Sequence, residues 1–114
     1  IIFCGDLNIG HSVHFDKSKV KPSPGIYPHE LKFYDDLLDI GFVDTIKNDD
    51  TIYTWWDPRA KKTNGIACTR QANKGWRLDY FFTKGINEVS SKVFKSIGER
   101  DPLSSDHAPI LLTF

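Results

Sequence analysis

The chain has 114 residues, 39% apolar and 13% aromatic, with 15 basic and 15 acidic side chains that leave no formal net charge. That composition fits one ordinary globular domain and argues against a generally basic nucleic-acid coat. No apolar run approaches the roughly 20 residues of a membrane-spanning helix, and the opening IIFCGDLN has no basic flank of the kind a signal peptide carries. Charge is nevertheless placed unevenly. Six cations and no acid fall between Arg59 and Arg77 (Arg59, Lys61, Lys62, Arg70, Lys74, Arg77), whereas acids outnumber bases nine to five between Asp6 and Asp50. A basic loop on a neutral protein, with an acidic pocket nearby, suits docking on a polyanion.

IIFCGD reads as a short buried strand ending at Gly5. KPSPG at 21–25 marks a loop. Pro28 fits a first helical position, Glu30 the electropositive first turn, and Leu31, Tyr34, Leu37 and Leu38 recur at helical spacing up to Gly41. The spacing predicts one amphipathic helix over 28–40. FVDT (42–45) and IYTWW (52–56) are rich in β-branched and aromatic residues and predict strands. The basic stretch 57–75 reads as a long loop. In WRLDYFF (76–82), alternation puts Trp76, Leu78, Tyr80 and Phe82 on one face, with Arg77, Asp79 and Phe81 on the other. EVSSKVF (88–94) predicts a weaker strand, and 108–114 a final strand buried on both faces, with Pro109 near its start. The pattern is α/β or α+β: a mostly antiparallel or mixed sheet with helix cover on one face. Cys4 and Cys68 match no metal spacing and read as free thiols of a reducing compartment. The absence of methionine, and a start inside a strand, predict a piece of a longer protein.

Chemistry concentrates at strand ends, where a rigid sheet holds side chains that loops leave open. Asp6 and Asn8 follow the first strand at i and i+2. Asp79 lies on a strand with four aromatics in seven residues, where an isolated carboxylate should be paired or functional. Asp106 and His107 precede the last strand. Turns at 5–8 and 104–107, and an ion pair of Asp79 with Arg77, are the plain alternatives. Together, carboxylates, a carboxamide and a histidine form a kit for metal-assisted phosphodiester hydrolysis.

GDLN at 5–8, YTWWDPR at 53–59, NKGWRLDYFF at 73–82 and SSDHAPI at 104–110 together resemble the exonuclease III-type apurinic/apyrimidinic (AP) endonucleases of the endonuclease/exonuclease/phosphatase superfamily. GIYPHE (25–30) and GFVDT (41–45) fit in the same order, so the resemblance covers nearly the whole chain. GDxN and SDH are shared across the superfamily. YTWW followed by GWRLDYF is narrower and points to the base-excision-repair branch.

The resemblance implies that residues 1–114 are the C-terminal half of a four-layer αββα sandwich. The parent would be a Mg²⁺-dependent enzyme, with Mn²⁺ as an alternative, that cuts duplex DNA 5′ to abasic sites. Asp6 would activate or orient water, Asn8 would hold a phosphate oxygen, and Asp79 would fix the tautomer of His107, which contacts the scissile phosphate. Asp106 would be a metal ligand, with Asp6 and Asn8 beside it. Trp55, Trp76 and Leu78 would line the pocket for a flipped-out abasic sugar. The family's metal-binding glutamate, its companion asparagine and aspartate, and its catalytic tyrosine belong to an N-terminal half absent here. The chain alone should therefore be inactive or nearly so, and its uncovered apolar sheet should attract that half or a second copy. His11, His14 and His29 match no catalytic position and read as surface or loop residues, and the loop at 14–24 lacks the asparagine pattern of some members. The implied location is cytoplasmic and nucleoid-associated in a prokaryote, or nuclear in a eukaryote, with no membrane partner. The rival readings are a non-catalytic fragment that binds nucleic acid or a protein, and a superfamily phosphodiesterase with another substrate.

Overall fold

Pro28 supplies the fixed φ of a first helical residue, and the Glu30 carboxylate reaches back to accept the Tyr27 backbone N–H at 2.9 Å. They start α1 (Pro28–Asp39) where the spacing predicts it. The helix stops because Gly41 takes φ +96°, a left-handed conformation that side chains resist. The N–H groups of Gly41 and Phe42 can then return to the carbonyls of Leu38 and Leu37. The computed structural model describes residues 1–16, 18–46, 48–63, 65–95 and 105–114; Ser104, the first residue of SSDHAPI, lies outside them.

α1 covers one face of a three-stranded antiparallel sheet in the order β1 (Ile2–Asp6), β5 (Asp79–Thr83), β2 (Val43–Asp44). The β1–β5 register sets Phe3 opposite Phe82 and Asp6 opposite Asp79. Tyr80 and Phe82 point toward α1, are fully buried, and pack with Leu37 against Phe3, Leu7, Tyr34 and Phe42. Each such side chain contributes about 1.5–3 kcal/mol of burial. This is the face that alternation in 76–82 picks out. The other face is open in part: Ile2 and Val43 are 40% and 57% exposed, although Thr83 between them is buried. β1 is therefore an exposed edge strand rather than the buried one expected, because it has a single neighbour and α1 covers only one of its sides.

Other expectations are corrected too. Residues 52–56 form no strand. Only Trp55 makes ladder contacts, as single bridges to Trp76 and to His107, so tertiary contacts override the β-propensity of the segment. β5 begins at Asp79 rather than Trp76, since the N–H groups of Leu78 and Asp79 turn to the Thr54 hydroxyl. The basic stretch 57–75 holds a small hairpin, β3 (Lys62–Thr63) with β4 (Ile66–Ala67), and the short helix α2 (Cys68–Gln71). Of the six cations between Arg59 and Arg77, Arg70 and Arg77 are buried and give no charge to the surface. Among the described residues the last strand, β7 (Ile110–Thr113), pairs only with β6 (Ser90–Val93), and it exposes Leu111 and Thr113, so it is not buried on both faces. Both cysteines are free, as expected, and both are exposed, Cys4 included despite the buried strand expected around it.

His11 corrects the surface assignment most clearly: it is 4% exposed. Its Nδ1 accepts the Val13 N–H at 3.1 Å, which leaves the proton on Nε2 to donate to the Tyr34 hydroxyl at 3.0 Å. Tyr34 in turn donates to Asp44 at 2.8 Å, and the fully buried Arg77 guanidinium pairs with the same carboxylate. Burial, then the Arg77 charge, push the His11 pKa down to about 4. The unfolded chain binds a proton on this imidazole near the ordinary 6.5, and the folded chain does so only near 4. The stability it contributes is thus complete above 6.5 and is lost as pH falls from 6.5 toward about 4. Urea unfolding across that window checks this against His11→Phe, whose stability should lose that part of the pH slope. Removing the partner of the buried guanidinium with Asp44→Ala should cost about 3–5 kcal/mol at neutral pH in the same measurement.

Candidate active site

The register that builds the core also builds the site. Asp6 and Asp79 lie opposite each other at the end of β1 and the start of β5, on the face turned away from α1. The bridge from Trp55 brings His107 beside them. His107 Nδ1 donates to Asp79 Oδ2 at 2.8 Å, and its Nε2 stands 3.8 Å from Asp6 Oδ2. Because a carboxylate only accepts, Asp79 places the neutral-ring proton on Nδ1 and leaves Nε2 to face Asp6. Ligand atoms of Asp6, Asp79 and His107 lie within 4.8 Å of one another. Asp79 thus pairs with His107 and not with Arg77, whose guanidinium is committed to Asp44.

Asn8 is placed by the same strand end. Its backbone N–H bonds Asp6 Oδ1 at 2.8 Å, orienting that carboxylate, and its φ of +52° is one that asparagine tolerates. Asp106 stands differently. Its Oδ2 accepts the Trp55 indole N–H at 2.8 Å, and it is not part of the Asp6–Asp79–His107 cluster. One of its oxygens is therefore already held.

A cleft of about 880 Å³ opens beside this cluster, and Asn8, Trp55, Trp76, Leu78 and His107 all line it. Trp55 and Trp76 meet edge to face with centroids 6.4 Å apart. Two glycines permit the approach. A Cβ at Gly75 would lie 2.2 Å from the Trp55 carbonyl oxygen, and one at Gly25 would lie 3.0 Å from the Trp76 ring. Sequence reasoning missed His14 and Phe15. Phe15 packs edge to face on Trp76 at 5.0 Å, and His14 stacks on Tyr53 at 4.3 Å, so both form cleft wall. The one signal for Phe15 was an aromatic in an otherwise polar, aperiodic loop. Burial holds the His14 pKa below its ordinary value. His29, in contrast, is exposed against Tyr27, as expected of a surface residue. Arg59 and Lys74 from the basic stretch reach the cleft rim, Arg59 through a paired fork to Asp57 at 3.0 and 3.1 Å.

Behind His107, the buried Arg70 donates to the carbonyls of Ser105 and Lys95 and stacks over the Trp56 ring at 4.6 Å. It ties the hairpin segment to the loop that presents Asp106 and His107.

No family model matches the chain. A Streptococcus pneumoniae protein named exodeoxyribonuclease is 31% identical across 98% of this chain, which spans 40% of that protein. A Dictyostelium discoideum protein named DNA-(apurinic or apyrimidinic site) endonuclease is 31% identical across 96% of the chain, which spans 30% of it. The solved structure of an AP endonuclease from Archaeoglobus fulgidus shares the fold, with TM-score 0.71 over 99% of this chain and 44% of that one, at 24% identity. The chain spans less than half the length of each of these proteins.

Trp55 has two separable parts, a ring in the cleft wall and an N–H on Asp106. Trp55→Phe should keep the wall and lose the bond, lowering stability by about 1–2 kcal/mol in chemical denaturation.

Proposed function

We propose that this chain, homologous along nearly its whole length to exodeoxyribonucleases and AP endonucleases, is the C-terminal half of a DNA-repair nuclease. That enzyme hydrolyses the phosphodiester 5′ to abasic sites in duplex DNA. The observation that carries the reading is the adjacency of the Asp6–His107–Asp79 cluster to a cleft walled by Trp55, Trp76 and Leu78.

The chemistry follows from the placement. Water attacks phosphorus, the P–O3′ bond breaks, and the strand is left with a 3′-hydroxyl and a 5′-phosphate on the abasic residue. Asp6 and His107 Nε2, 3.8 Å apart, are spaced to hold and deprotonate a water between them. Asp79 keeps His107 in the tautomer that presents Nε2 to the cleft. Asn8, on the cleft wall, offers its amide to a phosphate oxygen. The aromatic walls accept a flipped sugar without its base, and an intact base would have to be forced into the same space. Arg59 and Lys74 meet the flanking backbone phosphates.

The donor set suits a hard divalent cation, because Asp6 offers a carboxylate that is 37% exposed and Asp106 keeps one oxygen that Trp55 does not hold. Mg²⁺ would be held by Asp6 with the second oxygen of Asp106, Asn8 standing beside them, and would neutralise charge on the phosphate. Two carboxylates are few for such a site, which fits a further ligand supplied by the rest of a longer protein.

Incubating the 114-residue chain and the full-length protein with abasic duplex and Mg²⁺ tests the division of labour. The full-length protein should nick and the chain alone should not, and robust cleavage by the chain would make the other half dispensable. In the full-length protein, Asp79→Asn should lower kcat by about 10²–10⁴-fold, the scale of general acid–base catalysis. Trp76→Ala should weaken abasic-site cleavage about tenfold or more, the worth of one buried apolar wall. Unchanged cleavage in Trp76→Ala would remove that wall from the site.

A further inference from the structure

We infer that Thr54 is the positioning residue of the Asp79–His107 pair, and that its hydroxyl, not its bulk, holds the two together. Thr54 is completely buried and touches neither the cleft nor any reacting atom. Its hydroxyl oxygen accepts two successive backbone N–H groups, those of Leu78 at 2.9 Å and Asp79 at 3.1 Å. Its carbonyl accepts the Ala108 N–H at 2.7 Å, one residue beyond His107, and its own N–H donates to the Trp76 carbonyl at 2.9 Å. Every polar atom of this one residue is thus spent on the two segments that carry the pair.

The geometry gives the hydroxyl a specific task. Asp79 is the first residue of β5, where the backbone turns into the ladder opposite Asp6. A threonine oxygen receiving both N–H groups at that turn sets where β5 begins, and so which way the Asp79 carboxylate leaves the strand. The carbonyl bond to Ala108 sets the height of the His107 backbone over the same strand. The 2.8 Å bond between Asp79 and His107 joins residues 28 apart in sequence, and Thr54 is bonded to both sides of it. Valine would fill the same volume without accepting either N–H. Serine would accept both and lose only a methyl.

Two readouts test this, and only the second rests on the proposed nuclease reading. The first is the Nδ1–H resonance of His107, which a hydrogen bond to Asp79 moves downfield in the NMR spectrum of the chain. It should be present in the unaltered chain, retained in Thr54→Ser and lost in Thr54→Val. Its absence from the unaltered chain, its persistence in Thr54→Val, or its equal loss in both variants would overturn the inference; the last outcome would make Thr54 a packing residue. The second readout is abasic-site nicking by the full-length protein. Thr54→Val should lower kcat about 100-fold with little change in KM, as a displaced catalytic pair does, and Thr54→Ser should restore it. A rise in KM alone would place Thr54 in service of the cleft wall and overturn the inference. Should the resonance follow the hydroxyl while no variant nicks, the nuclease reading fails and the positioning role stands.

Discussion

The constraint on which both core and site depend is the antiparallel register of β1 on β5. Strand side chains alternate, so one register choice settles two unrelated matters at once. With Phe3 opposite Phe82, the aromatic face meets α1; with Asp6 opposite Asp79, the two carboxylates converge on the other side. A slip of one residue would turn Phe3 into solvent and separate the acids. The hydrophobic burial that stabilises the core therefore also holds together two like charges that would otherwise repel. The site costs the fold little because the aromatic ladder has already decided the geometry.

Arg77 and Asp79 show how the fold keeps neighbouring opposite charges from cancelling. Two residues apart, they could pair locally and leave His107 without its carboxylate partner. Asp44 prevents this from β2, with Tyr34 and His11 completing its hydrogen bonds. A buried guanidinium needs a partner at close range, and the one provided lies on the far side of β5. Asp79 is left to His107, whose Nδ1–H it accepts at 2.8 Å.

Much of this was legible in the residues. The helix at 28–40 rested on local chemistry, a proline start and a glycine stop, and the structure ends it within one residue. The inward face of Tyr80 and Phe82 followed from alternation, which needs no knowledge of partners, whereas Trp76 and Leu78, ahead of the strand, line the cleft. Asp6, Asn8 and His107 could be named because strand ends collect chemistry, and Asp79 because it is a lone carboxylate on an aromatic strand. Their mutual distances could not, since they span a hundred residues and depend on register. What failed was whatever a partner decides. IYTWW has the composition of a strand, but its bonds go to single residues of two distant segments. Arg70 and Arg77 look like surface charge until the carbonyls and the carboxylate that receive them are in place. His11 was unreadable for the same reason: an imidazole in a loop shows nothing of the tyrosine that will bury it.

The open face of the sheet bears on the site directly. Ile2 and Cys4 alternate with Phe3 and so share a side with Asp6, while Phe81 shares a side with Asp79. The carboxylates thus sit at one end of a strip on which Ile2, Cys4 and Val43 are exposed while Thr83 is buried. A layer laid on that strip to bury Ile2 and Val43 would have its own edge against Asp6. The proposal that the remaining ligand comes from another part of a longer protein therefore requires no separate device to deliver it. The same apolar contact that would complete the fold would complete the site, and an active centre assembled this way forms only when both layers are folded.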